Sequence, residues 1–263
     1  MHEKFFNKIN AFLDKFSLST FSIFLFFAIL FLLYYFIYVL EKRMGYTKEK
    51  TNKQIIIFGI SLLITYFFAY FFDALFHYFE NGTFSGGITY IAGFFGGIIS
   101  FILFTFHLLK EERKNIYKIL NLIIPGVVLA HAIGRIGCFS VGCCYGKPTN
   151  SIFGVYFPVG TNPYIDGIRE KVHPTQLYEA FFLVFLFFGL RSRFAKNREL
   201  PLYLILYGVF RFILEIFFRG DDRGKIFGVA PSVILSIFMF LGGIILLLIR
   251  KKNGEVNESL LSK

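Results

Sequence analysis

The sequence predicts an all-α polytopic membrane protein of seven transmembrane helices, with a small external head between helices four and five. Three observations carry this. Apolar residues make up 56% of the 263-residue chain, and its mean hydropathy is +0.62, well beyond what a soluble core hides. The apolar residues are gathered into seven stretches of about 20 residues, the length that crosses a hydrocarbon layer about 30 Å thick as a helix. Basic residues cluster in alternate connections, as positive-inside topology requires.

The stretches run near 17–40, 54–76, 87–109, 117–137, 175–194, 201–219 and 229–249. They are too long and too uniformly apolar for barrel strands, which alternate over about ten residues. The first lacks a small-residue cleavage site and reads as a retained span rather than a signal peptide. Before it, in 1–16, Phe5, Ile9, Phe12, Leu13 and Phe16 recur at helical spacing among lysines, the pattern of an interfacial amphipathic helix. Residues 17–252 form the membrane domain, with the head at about 138–174, and 253–263 form a tail. Within the head, "SIFGVYFPVG" at 151–160 reads as a short strand.

Orientation follows from the lysines and arginines. Lys42, Arg43, Lys48, Lys50 and Lys53 follow the first span, and Lys110, Arg113, Lys114 and Lys118 separate the third from the fourth. Arg191, Arg193, Lys196 and Arg198 separate the fifth from the sixth, and Arg250, Lys251, Lys252 and Lys263 end the chain. "HYFENGTFSG", between spans two and three, has none. These clusters place the N-terminus outside and the C-terminus in the cytoplasm, which needs an odd number of spans. The net charge of +11 is then explained by loops facing anionic lipid. It predicts no nucleic-acid partner, and no phosphate loop, dinucleotide fingerprint or zinc-type Cys/His spacing is present.

Charges inside the apolar stretches carry the chemistry. Arg135 ends the fourth stretch; Arg211 and Glu215 lie in the sixth, with Arg219 and Arg223 at its outer end. An arginine at mid-membrane costs about 2.5–3.5 kcal/mol even on insertion scales, so it must face the bundle interior with a partner. One reading pairs Arg211 with Glu215, one helical turn on, as a local neutraliser. The other gathers the arginines around an anionic group such as a lipid phosphate, which guanidinium holds two-pronged.

"GRIG" at 134–137 and "YGKPT" at 145–149, "HPTQLYEA" at 173–180 and "YGVFRFILEIFFRGDD" at 207–222 resemble, in order and spacing, the prolipoprotein diacylglyceryl transferase family. "SGGITYIAGFFGG" at 85–97 is similar to that family's third-span glycine segment. The resemblance implies a multi-pass enzyme of the bacterial inner membrane. Such an enzyme moves the diacylglyceryl group of phosphatidylglycerol onto the thiol of a lipobox cysteine in a lipoprotein precursor, releasing glycerol phosphate, with no metal or organic cofactor. It assigns Arg135 and Arg211 to the donor phosphate and Tyr207 to the same head group. Gly134, Gly137, His173, Gln176, Tyr178, Glu179, Glu215 and Arg219 fall within the matching motifs or beside them as substrate-site candidates, with Glu179 a partner for a buried arginine.

The chain departs from the family pattern at Cys138, Val141 and Cys143, where Asn, Asn and Glu are usual, and at Ser85, where a histidine precedes two glycines. Phe21 stands at the place of an early tyrosine. With the motif histidine missing, His131, one turn before Arg135, is a substitute base for a thiol proton; the alternative is a packed histidine bonded to a neighbouring carbonyl. Cys138, Cys143 and Cys144 admit a disulfide, apolar packing, or a nucleophile or metal role. Their spacing offers no recognised fourth ligand, so packing or a disulfide is favoured. Gly93 and Gly97 form a small-xxx-small pair suited to close helix packing. Two other function classes stay open: the same donor chemistry with a different acceptor, and a lipid-binding or transport protein that holds a head group without turnover.

Overall fold

The computed structural model describes residues 9–10, 19–84, 90–220 and 228–261. Its long helices are α1 (Thr20–Tyr38), α2 (Lys48–Asn81), α3 (Tyr90–Leu108), α4 (Ile116–Val141), α6 (Thr175–Arg191), α7 (Glu199–Ile213) and α8 (Pro231–Leu261), with a four-residue α5 at Asn162–Ile165. Among the described residues, five helical segments are long and apolar enough to cross a membrane: Thr20–Arg43, Lys48–Phe79, Lys110–Val141, Glu199–Phe218 and Pro231–Arg250. Many of their large apolar side chains point outward, among them Phe26, Leu63, Phe67 and Phe238, as lipid-facing residues do. The interfacial helix expected at 1–16 lies outside the described residues except for Ile9 and Asn10. Ser85, Gly86, Gly87 and Arg223 lie outside them entirely.

The chain divides into two compact units. Residues 33–123 and 223–235 form one of them. There α2 and α3 pack closely, because α3 presents glycine where α2 approaches. A Cβ on Gly93 would come within 3.0 Å of the Thr65 carbonyl, and one on Gly96 within 2.7 Å of Phe68 Cβ. Gly97 likewise faces Thr65, so the small-residue pair of the sequence is a packing face. Phe36 stacks on Phe58 at 4.4 Å, with Phe101 edge-on to both. A polar knot closes one end of this unit, where buried Glu112 takes Tyr46, Lys50 and Asn115.

The other unit comprises residues 1–32, 124–222 and 236–263, and it holds every candidate site residue. Phe182 of α6 stacks on Phe210 of α7 at 4.0 Å. Gly208 of α7 lets α8 approach, since an added Cβ would lie 2.9 Å from the Ser236 carbonyl and 3.0 Å from Phe240 N. At its end α7 widens into a π-helical turn, Leu214–Phe218, closed by Arg219 N–H donating to the Leu214 carbonyl at 3.0 Å. Such turns recur at functional sites because they re-aim side chains.

Between α4 and α6 the strand expected at 151–160 does not form, and the described residues contain only isolated bridges, Val155 with Val172 among them. Pro158 has no N–H for a ladder. Ile152 and Phe153, adjacent in sequence, are both exposed, so the alternation a half-buried strand needs is broken. Instead Tyr145, Phe157 and Val172, with Phe139 and Ile168, make a small apolar cluster. Tyr145 also donates to Asp166 at 2.6 Å.

Candidate active site

Three helices of this unit converge on one carboxylate. α4 contributes His131 and Arg135, spaced four residues apart and so on one face; α6 contributes Glu179, and α7 contributes Tyr207 and Arg211. Glu179 is 1% exposed, Arg211 3% and Arg135 6%. Glu179 Oε1 lies 3.1 Å from Arg135 Nη2 and accepts from Tyr207 Oη at 2.6 Å, while Oε2 accepts from Arg211 Nη1 at 2.9 Å. A buried ion pair needs both charges compensated and the spare donors satisfied, and one carboxylate here serves two guanidiniums and a phenol.

The network continues along α7. Arg211 Nη2 lies 3.1 Å from Glu215 Oε2, and Arg219 Nε reaches the same oxygen at 3.4 Å. The i, i+4 pairing expected for Arg211 and Glu215 is therefore present, but as one link of a chain. Three guanidiniums face two carboxylates among the described residues, and Arg211 Nε, though buried, has no hydrogen-bond partner among them. A buried N–H of a guanidinium without an acceptor is rare and marks a place where an anionic oxygen fits.

His131 is held by Arg135, whose Nε donates to His131 Nε2 at 3.1 Å. Its ring meets Tyr207 edge-on at 5.4 Å, and Tyr207 stacks on Tyr203 at 5.5 Å. The nitrogen able to take a proton is thus the one facing Arg135 and, at 3.6 Å, Glu179. Tyr207, expected at a lipid head group, donates to Glu179.

The remaining candidates build the wall beside this cluster. Gln176 donates to the Cys143 carbonyl, and Thr175 and Arg219 donate to the Cys144 carbonyl at 2.7 and 2.8 Å. His173 and Tyr178 form a second pair at 3.0 Å, with Phe218 against both rings. Burial lowers the His173 imidazole below its ordinary range. Gly137 lies against α1, where an added Cβ would meet Phe24 Cβ at 2.9 Å and Phe21 Cδ2 at 3.2 Å. Phe21 thus sits beside the "GRIG" motif. Gly134, by contrast, has nothing within 4 Å of an added Cβ. No disulfide joins Cys138, Cys143 and Cys144.

Two contributors carry no motif signal of their own: Thr175 opens the fifth apolar stretch and Tyr203 lies within the sixth. Tyr203 lies four residues before Tyr207, so helical spacing carried a signal for it; nothing local pointed from Thr175 to a carbonyl 31 residues earlier.

Comparison with known proteins gives a matching outcome. The chain is similar to the phosphatidylglycerol-prolipoprotein diacylglyceryl transferase of Clostridium tetani, with 40% identity over 162 residues, 60% of this chain and 62% of the relative. It is 32% identical over 177 residues to the Clostridium perfringens protein named phosphatidylglycerol-prolipoprotein diacylglyceryl transferase 2, covering 65% of this chain and 66% of that one. A Finegoldia magna protein of the former name is 31% identical over 227 residues, covering 83% of this chain and 86% of that one. The matched stretch thus spans just under two thirds of the first two relatives' length. No solved structure matches. The family model for prolipoprotein diacylglyceryl transferase matches residues 8–249, a stretch that contains His131, Arg135, Glu179, Arg211, Glu215 and Arg219, and the chain belongs to that family.

Proposed function

We propose that this chain transfers the diacylglyceryl group of phosphatidylglycerol to the thiol of a lipobox cysteine in lipoprotein precursors. The observation that carries it is Arg211, buried between Glu179 and Glu215 yet with its Nε unpartnered among the described residues. With Arg135 on the same carboxylate, this is a cationic site with a donor to spare for a phosphodiester. The names of the relatives support the donor and acceptor.

The reaction is a displacement at the glyceryl carbon attached to phosphate. The acceptor thiol gives up its proton, its sulfur forms the S–C bond, and the C–O bond to phosphate breaks with its electron pair on oxygen, releasing glycerol phosphate. Arg135 and Arg211 stabilise the charge that develops on the departing phosphate, the ordinary means of electrostatic catalysis. His131 Nε2 takes the thiol proton once a phosphate oxygen draws the Arg135 guanidinium away from it. Glu179 holds both arginines in place before the donor arrives.

The placement that goes with this chemistry is a bacterial inner-membrane protein of seven spans, N-terminus outside and C-terminus cytoplasmic, with residues 138–174 on the outer face. It rests on the alternation of basic clusters. The test is transfer of labelled diacylglyceryl from phosphatidylglycerol vesicles to a lipobox peptide by the purified chain. Transfer to the peptide's cysteine supports the reading; head-group binding without transfer sinks it.

A further inference from the structure

We propose that Cys138, Cys143 and Cys144 form a binding site for one thiophilic metal cation of the zinc type, with three thiolates as ligands. The spacing of these cysteines matches no familiar metal pattern, and the fold rather than the spacing brings them together. α4 ends at Val141, and Gly142 reverses the chain with φ of 74°. Cys143 N–H then donates back to the Cys138 carbonyl at 3.2 Å. Cys144 follows in the left-handed region, φ 63°, a conformation that side-chain-bearing residues adopt at a cost and that turns its sulfur toward its neighbours. The three Sγ atoms all lie within 4.8 Å of one another, and those of Cys143 and Cys144 are 3.7 Å apart.

These distances fit a metal. With zinc–sulfur bonds of about 2.3 Å in tetrahedral geometry, neighbouring sulfurs sit about 3.8 Å apart. One pair is already at that separation, and the third sulfur needs to close by at most about 1 Å, within reach of a side-chain rotation. A disulfide would use two of the sulfurs and leave the third, whereas a cation uses all of them.

The turn is also held from behind. Gln176 binds the Cys143 carbonyl, and Thr175 and Arg219 bind the Cys144 carbonyl, so α6 and the end of α7 fix the backbone that carries two of the ligands. Outer hydrogen bonds of this kind orient metal ligands and raise affinity. Three thiolates around a divalent cation leave one negative charge. Arg219, bonded to the turn, and Arg135, one helical turn before Cys138, supply positive charge beside it. The site leaves one position of a tetrahedral ion for water or an incoming thiolate. Soft ligands of this composition select zinc, cadmium or copper(I) over magnesium or calcium.

The test uses the full chain in detergent micelles, reduced and stripped by chelator, then titrated with cadmium and, separately, zinc. The expected result is saturation at one equivalent, with a thiolate–cadmium charge-transfer band and release of the three thiol protons to the buffer. All three cysteines become protected from maleimide in the 138–144 region, and chelator restores their reactivity. Thr175→Ala, which keeps every thiol, is expected to weaken cadmium binding by about tenfold, and Cys143→Ala by about 100-fold. The proposal is overturned if binding does not saturate, if fewer than three cysteines are protected, or if affinity survives Cys143→Ala. It is also overturned if the detergent-folded chain binds no tighter than the same chain unfolded in dodecyl sulfate. None of these readouts uses diacylglyceryl transfer, so they stand or fall apart from the proposed activity.

Discussion

Glu179 bridges Arg135 and Arg211, one carboxylate oxygen 3.1 Å from the first and the other 2.9 Å from the second. In a site closed to water the three groups are mutually dependent, because removing one leaves an uncompensated charge in low dielectric. The carboxylate occupies the position between two guanidiniums that a phosphate would compete for, so it both assembles the site and restrains it.

Glu179→Gln keeps the shape and removes the charge. It is expected to destabilise the fold by about 3–5 kcal/mol, the range for breaking a buried pair, read as a lower thermal midpoint in detergent. Glu179→Asp keeps the charge and is expected to recover much of that stability. If Gln is as stable as wild type, the arginines are neutralised elsewhere and Glu179 is not their anchor.

Arg135→Lys and Arg211→Lys each retain a positive charge but not the planar fork that holds two oxygens at once. Each is expected to lower transfer by roughly 10²–10³-fold while the protein still inserts and melts near the wild-type temperature. Near-normal transfer with lysine at both positions would make these residues simple counter-ions for Glu179 and Glu215.

The open side of Gly134 allows a steric test. Gly134→Val adds a side chain where the fold has no atom within 4 Å of the first added carbon, so stability is expected to change by less than about 0.5 kcal/mol. A donor seated beside Arg135 would meet the new methyls, raising the apparent KM for phosphatidylglycerol. Gly208→Ala is the contrast. Its Cβ would press on α8 backbone atoms at 2.9 and 3.0 Å, and overpacking of this kind costs about 1–3 kcal/mol.

Much of this was legible in the sequence, for physical reasons that differ by feature. The long apolar helices, five of them able to cross a membrane among the described residues, follow from apolar runs whose length the bilayer dictates. Arg135 and Arg211 stood out because a charge in an apolar run must be partnered. The partners were legible in part: helical spacing pointed Arg211 to Glu215 and the family resemblance offered Glu179 for a buried arginine, but only the packing of three helices shows Glu179 serving Arg135 and Arg211 together. The wrong expectation, a strand at 151–160, arose because composition without true alternation reads as strand until Pro158 and the exposed pair Ile152 and Phe153 are placed. The cysteines were legible as possible disulfide partners, but the approach of all three sulfurs was not, since it depends on the two left-handed residues, Gly142 and Cys144, that follow the end of α4.

His173 gives a pH test outside the charge cluster. Burial lowers its folded pKa, whereas in the unfolded chain it takes a proton near pH 6.5. Between those values the unfolded state holds more protons, so the His173 contribution to stability is fully present above about pH 6.5 and is lost as pH falls through the folded value. The thermal midpoint is expected to drop on acidification, and His173→Gln is expected to flatten part of that drop. An unchanged slope would place His173 in ordinary solvent contact.

His131 Nε2 accepts from Arg135 Nε at 3.1 Å. A thiol with a pKa near 8.5 is only a few per cent thiolate at neutral pH, and a positioned base raises the rate by about 10²–10⁴-fold. His131→Gln keeps an acceptor for Arg135, so the arginine stays in place while the base is lost. Transfer by this variant is expected to fall steeply at neutral pH and to recover as pH rises, because more thiolate then forms without help. A Gln variant as active as wild type across the pH range would reduce His131 to a spacer for Arg135. The proton would then have to leave by another route, and the thiols of Cys138, Cys143 and Cys144, which begin one turn after Arg135, become the next groups to change. A combined Cys138→Ala, Cys143→Ala and Cys144→Ala variant that folds but has lost transfer would assign the step to them.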